Sequence, residues 1–197
     1  YPDVLKSTDG GETWNDAATG SIEAGTSQAL FIAPLTMDPN SSSILWGGGM
    51  SLWRTTNGAS TWSSRRDPIS GTPRCTAIAV KPGSSAEVWA GYEDGTVSRT
   101  TNGGSTWTNV DGGAPGLPNR WVMDIAVSPW FANEAIVVFA GYEPDNVWIT
   151  VNGGTSWSQR TGTAPDDLPA LQVNTATYHP TNQDWIYVGT DLGVFAS

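Results

Sequence analysis

Two short segments carry the side chains best suited to chemistry. Tyr92-Glu93-Asp94 and Tyr142-Glu143-Pro144-Asp145 each set an aromatic ring beside carboxylates. Such a ring stacks on the C–H faces of a sugar, and a carboxylate accepts hydrogen bonds from its hydroxyls. Arg74 and Arg120 lie in polar segments upstream and offer anchors for a carboxylate or carbonyl group. The candidate ligand-binding set is therefore Tyr92, Glu93, Asp94, Tyr142, Glu143, Asp145, Arg74 and Arg120. The competing reading is that Gly-Tyr-Glu occurs twice because it is scaffold, since repeats keep their stabilising features.

Glycoside hydrolysis would need two carboxyl groups about 5 to 9 Å apart across the scissile bond. Asp67, Asp94, Asp124, Asp145, Asp166 and Asp167 are available, but the sequence brings no two together, so no catalytic residue is assigned. Asp124 interrupts the apolar run Val122-Met123-Asp124-Ile125-Ala126, where it could face a central channel. A solvated, channel-lining acid is the plainer role.

Other chemistries find little support. His179 is the single histidine and Cys75 the single cysteine, so neither a zinc cluster nor an internal disulfide is expected, and no metal or cofactor is assigned. Cys75 reads as a small buried residue. Arg54 and Arg99 end equivalent strands and read as structural. Arg65 and Arg66 sit in a connecting loop. Trp130-Phe131 is either a contact patch or packing beneath its own loop.

These residues are held by a unit that repeats. Ser7-Thr8-Asp9-Gly10-Gly11-Glu12-Thr13-Trp14 returns as Thr55-Thr56-Asn57-Gly58-Ala59-Ser60-Thr61-Trp62, as Thr100-Thr101-Asn102-Gly103-Gly104-Ser105-Thr106-Trp107, and as Thr150-Val151-Asn152-Gly153-Gly154-Thr155-Ser156-Trp157. A period of this length marks a repeat architecture. Between the octets lie short runs rich in β-branched and aromatic residues, bounded by Pro, Gly, Asn and Ser, which read as strands. Four strands, A to D, fit each unit. In the octet, the Asp or Asn folds onto backbone N–H groups and the glycines supply positive φ for a hairpin between strands C and D. Asp9, Asn57, Asn102 and Asn152 thus shape the turns, and Trp14, Trp62, Trp107 and Trp157 pack between neighbouring sheets. Ala59 replaces a turn glycine and predicts a slightly strained hairpin.

The four octets resemble Asp-boxes, the bacterial neuraminidase repeats of sialidases, two-propeller xyloglucanases, sortilin-type receptors, photosystem II assembly propellers and many secreted bacterial proteins. Tyr187-Val188-Gly189-Thr190-Asp191-Leu192-Gly193-Val194-Phe195 is similar to the same propellers. The resemblance implies an all-β fold, a β-propeller of four-stranded antiparallel blades. Residues 1–197 are expected to form a single segment of about four blade equivalents. Complete units span 26–64, 75–110 and 121–160, and partial blades lie at 1–20 and 172–197. The segment reads as an arc of a larger propeller, closed by further sequence or a partner chain. The D–A loops (16–29, 64–74, 111–120, 161–171) and B–C loops (47–51, 92–95, 142–146, 190–193) would share one face, where propeller ligands usually bind. The Arg-Ile-Pro signature of sialidases is absent, and nothing matches the acid-bearing motifs of the xyloglucanases.

Nineteen Asp and Glu against nine Lys and Arg give a net charge of −10. That field argues against nucleic acid and anionic membranes as partners. No run is long and apolar enough for membrane insertion. The function expected is a non-catalytic, secreted or cell-surface module that binds glycan or protein. The alternative is a glycoside hydrolase propeller, of sialidase or xyloglucanase type, with part of its site outside this segment. An intracellular assembly factor is a third reading.

Overall fold

The computed structural model describes residues 4–17, 28–113, 115–163 and 167–197. Among them there is no helix, and the strands form five antiparallel sheets in chain order. The first is a hairpin of β1 (Leu5–Lys6) and β2 (Asn15–Asp16). Three four-stranded meanders follow: β3 to β6 (Leu35–Met37, Leu45–Gly48, Leu52–Thr55, Ser63–Arg66), β7 to β10 (Cys75–Val80, Val88–Tyr92, Val97–Thr100, Thr108–Asn109) and β11 to β14 (Val122–Val127, Ala135–Phe139, Val147–Thr150, Ser158–Gln159). The last sheet has three strands, β15 (Val173–Tyr178), β16 (Ile186–Thr190) and β17 (Gly193–Ala196). We call the complete meanders blades 1 to 3 and the last sheet blade 4.

The first strands of successive blades, β3, β7, β11 and β15, lie side by side. Together they line one open central cavity of about 570 Å³, with Pro39, Pro82, Pro129 and Pro180 at its rim. The D strands are short and polar. They start one residue after each box tryptophan, and brief, polar edge strands of this kind resist edge-to-edge pairing.

The core lies between blades, and the two-residue period of each strand explains why. In β8, Trp89 packs towards blade 3, whereas Val88 and Ala90 pack towards blade 1. In β12, Val137 faces blade 2, and Ile136 and Val138 face blade 4. The blades approach closely enough to require glycine. A Cβ on Gly91 would collide with Val122 of the next blade, and one on Gly48 would stand 2.8 Å from Cys75.

Each box is the C–D turn of its blade. In the third box, Asn102 Oδ1 accepts from the Thr106 N–H at 2.9 Å, and Thr100 Oγ1 accepts from the Gly104 N–H at 3.1 Å. The Asp9, Asn57 and Asn152 boxes repeat this pattern. Ala59 holds φ at 68° where the other boxes have glycine, a conformation that costs an L-residue about 1 kcal/mol. Box tryptophans then reach back to the preceding blade. Trp62, Trp107 and Trp157 donate Nε1–H to the carbonyls of Ala17, Arg65 and Val110 at 2.8, 2.9 and 2.7 Å. Trp107 and Trp157 also meet Trp46 and Trp89 edge to face, with centroids 6.1 Å apart. Trp14 has no preceding blade in the structure and remains 60% exposed.

The opposite ends of the blades are stitched as well. Lys81 Nζ donates to the Ser128 and Phe131 carbonyls, and Trp130 Nε1–H donates to the His179 carbonyl. His179 Nδ1 accepts from the Thr181 and Asn182 N–H groups, so the single histidine holds a turn.

Candidate functional site

The D–A and B–C loops converge at one end of each blade. In blade 2, Arg74 enters β7 and turns its guanidinium onto Glu93 in the β8–β9 loop, with Nη2 to Oε2 at 2.9 Å. Its Nε donates to both carboxylate oxygens, and its backbone N–H donates to Oε1. Burial pushes the Glu93 carboxyl up, but the Arg74 side chain and N–H outweigh it and hold the carboxyl below its ordinary range. Blade 3 repeats the device. Arg120 Nη2 meets Asp145 Oδ1 at 2.6 Å and the Asp145 carbonyl at 3.3 Å. Each arginine therefore clamps the B–C loop of its own blade. Asp94 is exposed and accepts from the Thr96 N–H, which shapes its hairpin.

The two tyrosines part company. Tyr92 is 0% exposed, lies in the core between blades 1 and 2, and has the Arg66 guanidinium 5.4 Å above its ring. It offers no face to a ligand, which corrects its expected role as a stacking platform. Tyr142 is 66% exposed. Register explains the difference. Tyr92 pairs with Cys75 at the head of β7, and Phe139 pairs with Val122 at the head of β11. Phe139, not Tyr142, is thus the counterpart of Tyr92. The closing hydrogen bond runs from the Tyr92 N–H to Thr96 in blade 2 and from the Phe139 N–H to Asn146 in blade 3. The span is four residues in one and seven in the other, so blade 3 carries a three-residue longer loop with Tyr142 at its outer part. Gly-Tyr-Glu recurs by sequence but not by structure.

This longer loop is tied to blade 4. Tyr142 Oη donates to Asp191 Oδ2 at 3.0 Å, and Asn174 Nδ2 donates to Asp191 Oδ1 at 3.0 Å. The Gly141 N–H donates to Gln172 Oε1, and Asn146 Nδ2 donates to the Gly141 and Leu171 carbonyls. The Asp191 carboxylate, as acceptor, raises the Tyr142 phenol above its ordinary pKa. Glu143 stands exposed beside it. Asp191, Asn174 and Gln172 were missed by motif. Their signal was position, since Asp191 falls in a B–C loop, Gln172 precedes a strand A and Asn174 lies near its start.

Asp124 joins β11 to β15. Its carboxylate accepts from Thr175 Oγ1 at 2.6 Å, from the Ala176 N–H at 3.2 Å and from the Ile125 N–H at 2.8 Å. Burial pushes its pKa up, and the three donors offset only part of that. Asp67 is exposed and accepts from Ser64 Oγ, Asp167 is exposed, and Asp166 lies outside the described residues. Among the described residues, no three His, Cys, Asp or Glu side chains converge to hold a metal ion.

The chain matches no family model, and no curated protein matches it. Solved structures are similar to it in fold. An ancestral GH74 enzyme aligns with a TM-score of 0.70 at 24% identity, over 99% of this chain and 27% of that one. YCF48 from Cyanidioschyzon merolae aligns with a TM-score of 0.68 at 13% identity, over 98% and 62%. A YCF48 structure bound to D1 peptide aligns with a TM-score of 0.50 at 15% identity, over 86% and 68%. The chain therefore spans less than two thirds of the length of the first two. These likenesses, with the all-β meanders, establish a β-propeller fold.

Proposed function

We propose that this propeller segment is a non-catalytic binding module and that its ligand is a protein segment held at the D–A/B–C end of blades 3 and 4. The observation that carries the proposal is the longer B–C loop of blade 3, which holds Tyr142 exposed and braced against Asp191. An exposed aromatic on a fixed loop, rimmed by Glu143, Asp191 and Asn174, is the composition of a contact surface. Burial of Tyr92 removes half of the tyrosine platform that would have suited a glycan. Glu93 and Asp145 are held by arginines, and Asp124 by three donors, so none of these acids stands free beside an open cleft. The acidic charge disfavours polyanions, and with the sequence resemblance it supports a secreted or cell-surface setting.

The test uses peptide and glycan arrays, probed with wild type and with Tyr142→Ala at two salt concentrations. Peptide binding that weakens about fivefold or more in the variant supports the proposal. Glycan-only binding would reassign the ligand. Turnover of a sialoside or a β-glucan oligosaccharide, lost in Asp124→Asn, would overturn the non-catalytic reading.

A further inference from the structure

Two grooves occupy equivalent places, each between the D strand of one blade and the box of the next. The groove between blades 1 and 2 holds about 540 Å³ and is lined by Arg65, Arg66, Asp67 and Trp107. The groove between blades 2 and 3 holds about 370 Å³ and is lined by Arg99, Asn109, Val110 and Thr155. Matching positions differ in charge, always in the same sense. Arg65 and Val110 each lie three residues after a box tryptophan and accept the indole N–H of the next one. The residues that follow are Arg66 and Asp111. Two residues before Trp46 stands Ile44, and two before Trp89 stands Glu87.

Glu87 neutralises its junction. Its Oε1 accepts from Trp89 Nε1 at 3.1 Å and from Arg99 Nε at 3.0 Å, and meets Arg99 Nη2 at 2.9 Å. Trp46 and Arg54 repeat that pair in blade 1. The Arg54 guanidinium stands 5.4 Å from the Trp46 ring centre, against 5.2 Å for Arg99 over Trp89, and each arginine donates to a box glycine carbonyl, Gly103 or Gly153. With Ile44 in place of the acid, Trp46 Nε1 and Arg54 Nε are buried and have no acceptor among the described residues. Arg65 Nε and Arg66 Nη1 are in the same condition. Among the described residues, no carboxylate lies within ion-pair reach of Arg54, Arg65 or Arg66. Burial and the Arg65 charge lower the Arg54 pKa, and Asp38 opposes them only in part. Asp67, the acid in the groove lining, is exposed and accepts from Ser64 Oγ. An acidic chain thus keeps neighbouring arginines unpaired, an arrangement that like-charge repulsion disfavours unless an anion joins it.

We propose that the groove between blades 1 and 2 binds one tetrahedral oxyanion group, a phosphate or sulfate monoester, held by Arg65 and Arg66 with Arg54 adding its charge. Such a group presents three terminal oxygens against the two of a carboxylate, and so suits several guanidiniums reaching in from β5 and β6. The net charge of −10 repels polyanions, so the group belongs to a small or otherwise neutral carrier.

The test is isothermal titration calorimetry of the whole chain with inorganic phosphate, inorganic sulfate and acetate at constant ionic strength. Saturable 1:1 binding of phosphate or sulfate is expected, at least about tenfold tighter than that of acetate. Arg65→Val, which installs the residue of the other groove, should weaken it at least about tenfold, with its melting curve checked. Ile44→Glu, which installs the acid of blade 2, should weaken it too by giving Arg54 a carboxylate. If that variant fails to fold, Arg65→Val still decides. No saturable binding at millimolar phosphate or sulfate, or binding unchanged in Arg65→Val, overturns the site. Acetate binding as tight as phosphate overturns the tetrahedral group. Tighter binding of glucose 6-phosphate than of the free ion marks a saccharide carrier, and tighter binding of O-phosphoserine a polypeptide one; both uphold the site. Tyr142→Ala should leave phosphate affinity unchanged, which separates this proposal from the loop-face reading.

Discussion

Trp157 and Trp14 occupy the same place in equivalent octets, yet their replacement should have very different consequences. Trp157 is 3% exposed, donates to the Val110 carbonyl at 2.7 Å and meets Trp89 edge to face. Trp157→Ala removes that burial, leaves a cavity between blades 2 and 3, and strips the Val110 carbonyl of its donor. Large-to-small changes at such sites cost about 3–5 kcal/mol. We take about 4 kcal/mol, which for a chain of this length lowers Tm by about 8–16 °C. Trp14 packs against no preceding blade, and surface changes of its kind stay within about 0.5 kcal/mol, so Trp14→Ala should move Tm by about 2 °C or less. Differential scanning calorimetry of wild type and both variants, with urea unfolding as a second measure, gives the comparison. Equal losses in the two variants would refute the claim that the box tryptophan acts through the preceding blade. A full loss in Trp14→Ala alone would place the stabilising contact within the box.

Three further outcomes follow from the packing and the titrating groups. Gly91→Ala drives a methyl into Val122 and should cost about 1–3 kcal/mol, whereas Gly112→Ala meets open space and should stay within about 0.5 kcal/mol; urea midpoints compare them. Asp124 has its pKa raised by burial, so its protonated form favours the fold, a contribution present at low pH and lost as pH rises through the raised value. The stability of wild type relative to Asp124→Asn should therefore improve as pH falls from neutral towards 4, read from melts at both. Cys75 is fully buried and its thiol is pushed up to about 12, so a thiol reagent at pH 8 should label it only at the rate of unfolding.

Fold was legible because its determinants are local and repeated. The octets state their turn chemistry in four residues, and the short apolar runs between them, bounded by Pro, Gly, Asn and Ser, mark strands. Tyr142 was not legible, because the sequence match Gly-Tyr-Glu points to equivalence with Tyr92. Only the pairing of Val122 with Phe139 shows that the chain has slipped by three residues. A slip in register leaves no mark on composition or motif. The clamps of Arg74 on Glu93 and Arg120 on Asp145 were hidden for a related reason. Sequence shows cations and acids in loops, but not that blade curvature folds each B–C loop back over the start of its own strand A.

The departures from repetition in loop length and loop bonding collect at one junction. Blade 3 has the longer loop, Tyr142 crosses to Asp191, Asp124 crosses to Thr175, and Asn146 crosses to Leu171. Between blades 1 and 2 the loop end is closed by a backbone bond from the Cys75 N–H to the Gly49 carbonyl and by packing around Tyr92, and the side chains of Thr36 and Asn40, which also cross, lie farther from the loops. A scaffold that only had to stack would gain nothing from replacing such contacts with polar side chains, since each polar group must be matched by a partner or lose stability. Tyr142, Asp191, Asp124 and Thr175 are matched at the blade 3–4 junction, Asn146 through its Nδ2 but not its buried Oδ1, and the matching leaves Tyr142 facing outward on a loop that blade 4 holds still. That cost in polar matching is the physical reason to seek the ligand there, and the tyrosine is the side chain whose loss should be felt in binding before it is felt in stability.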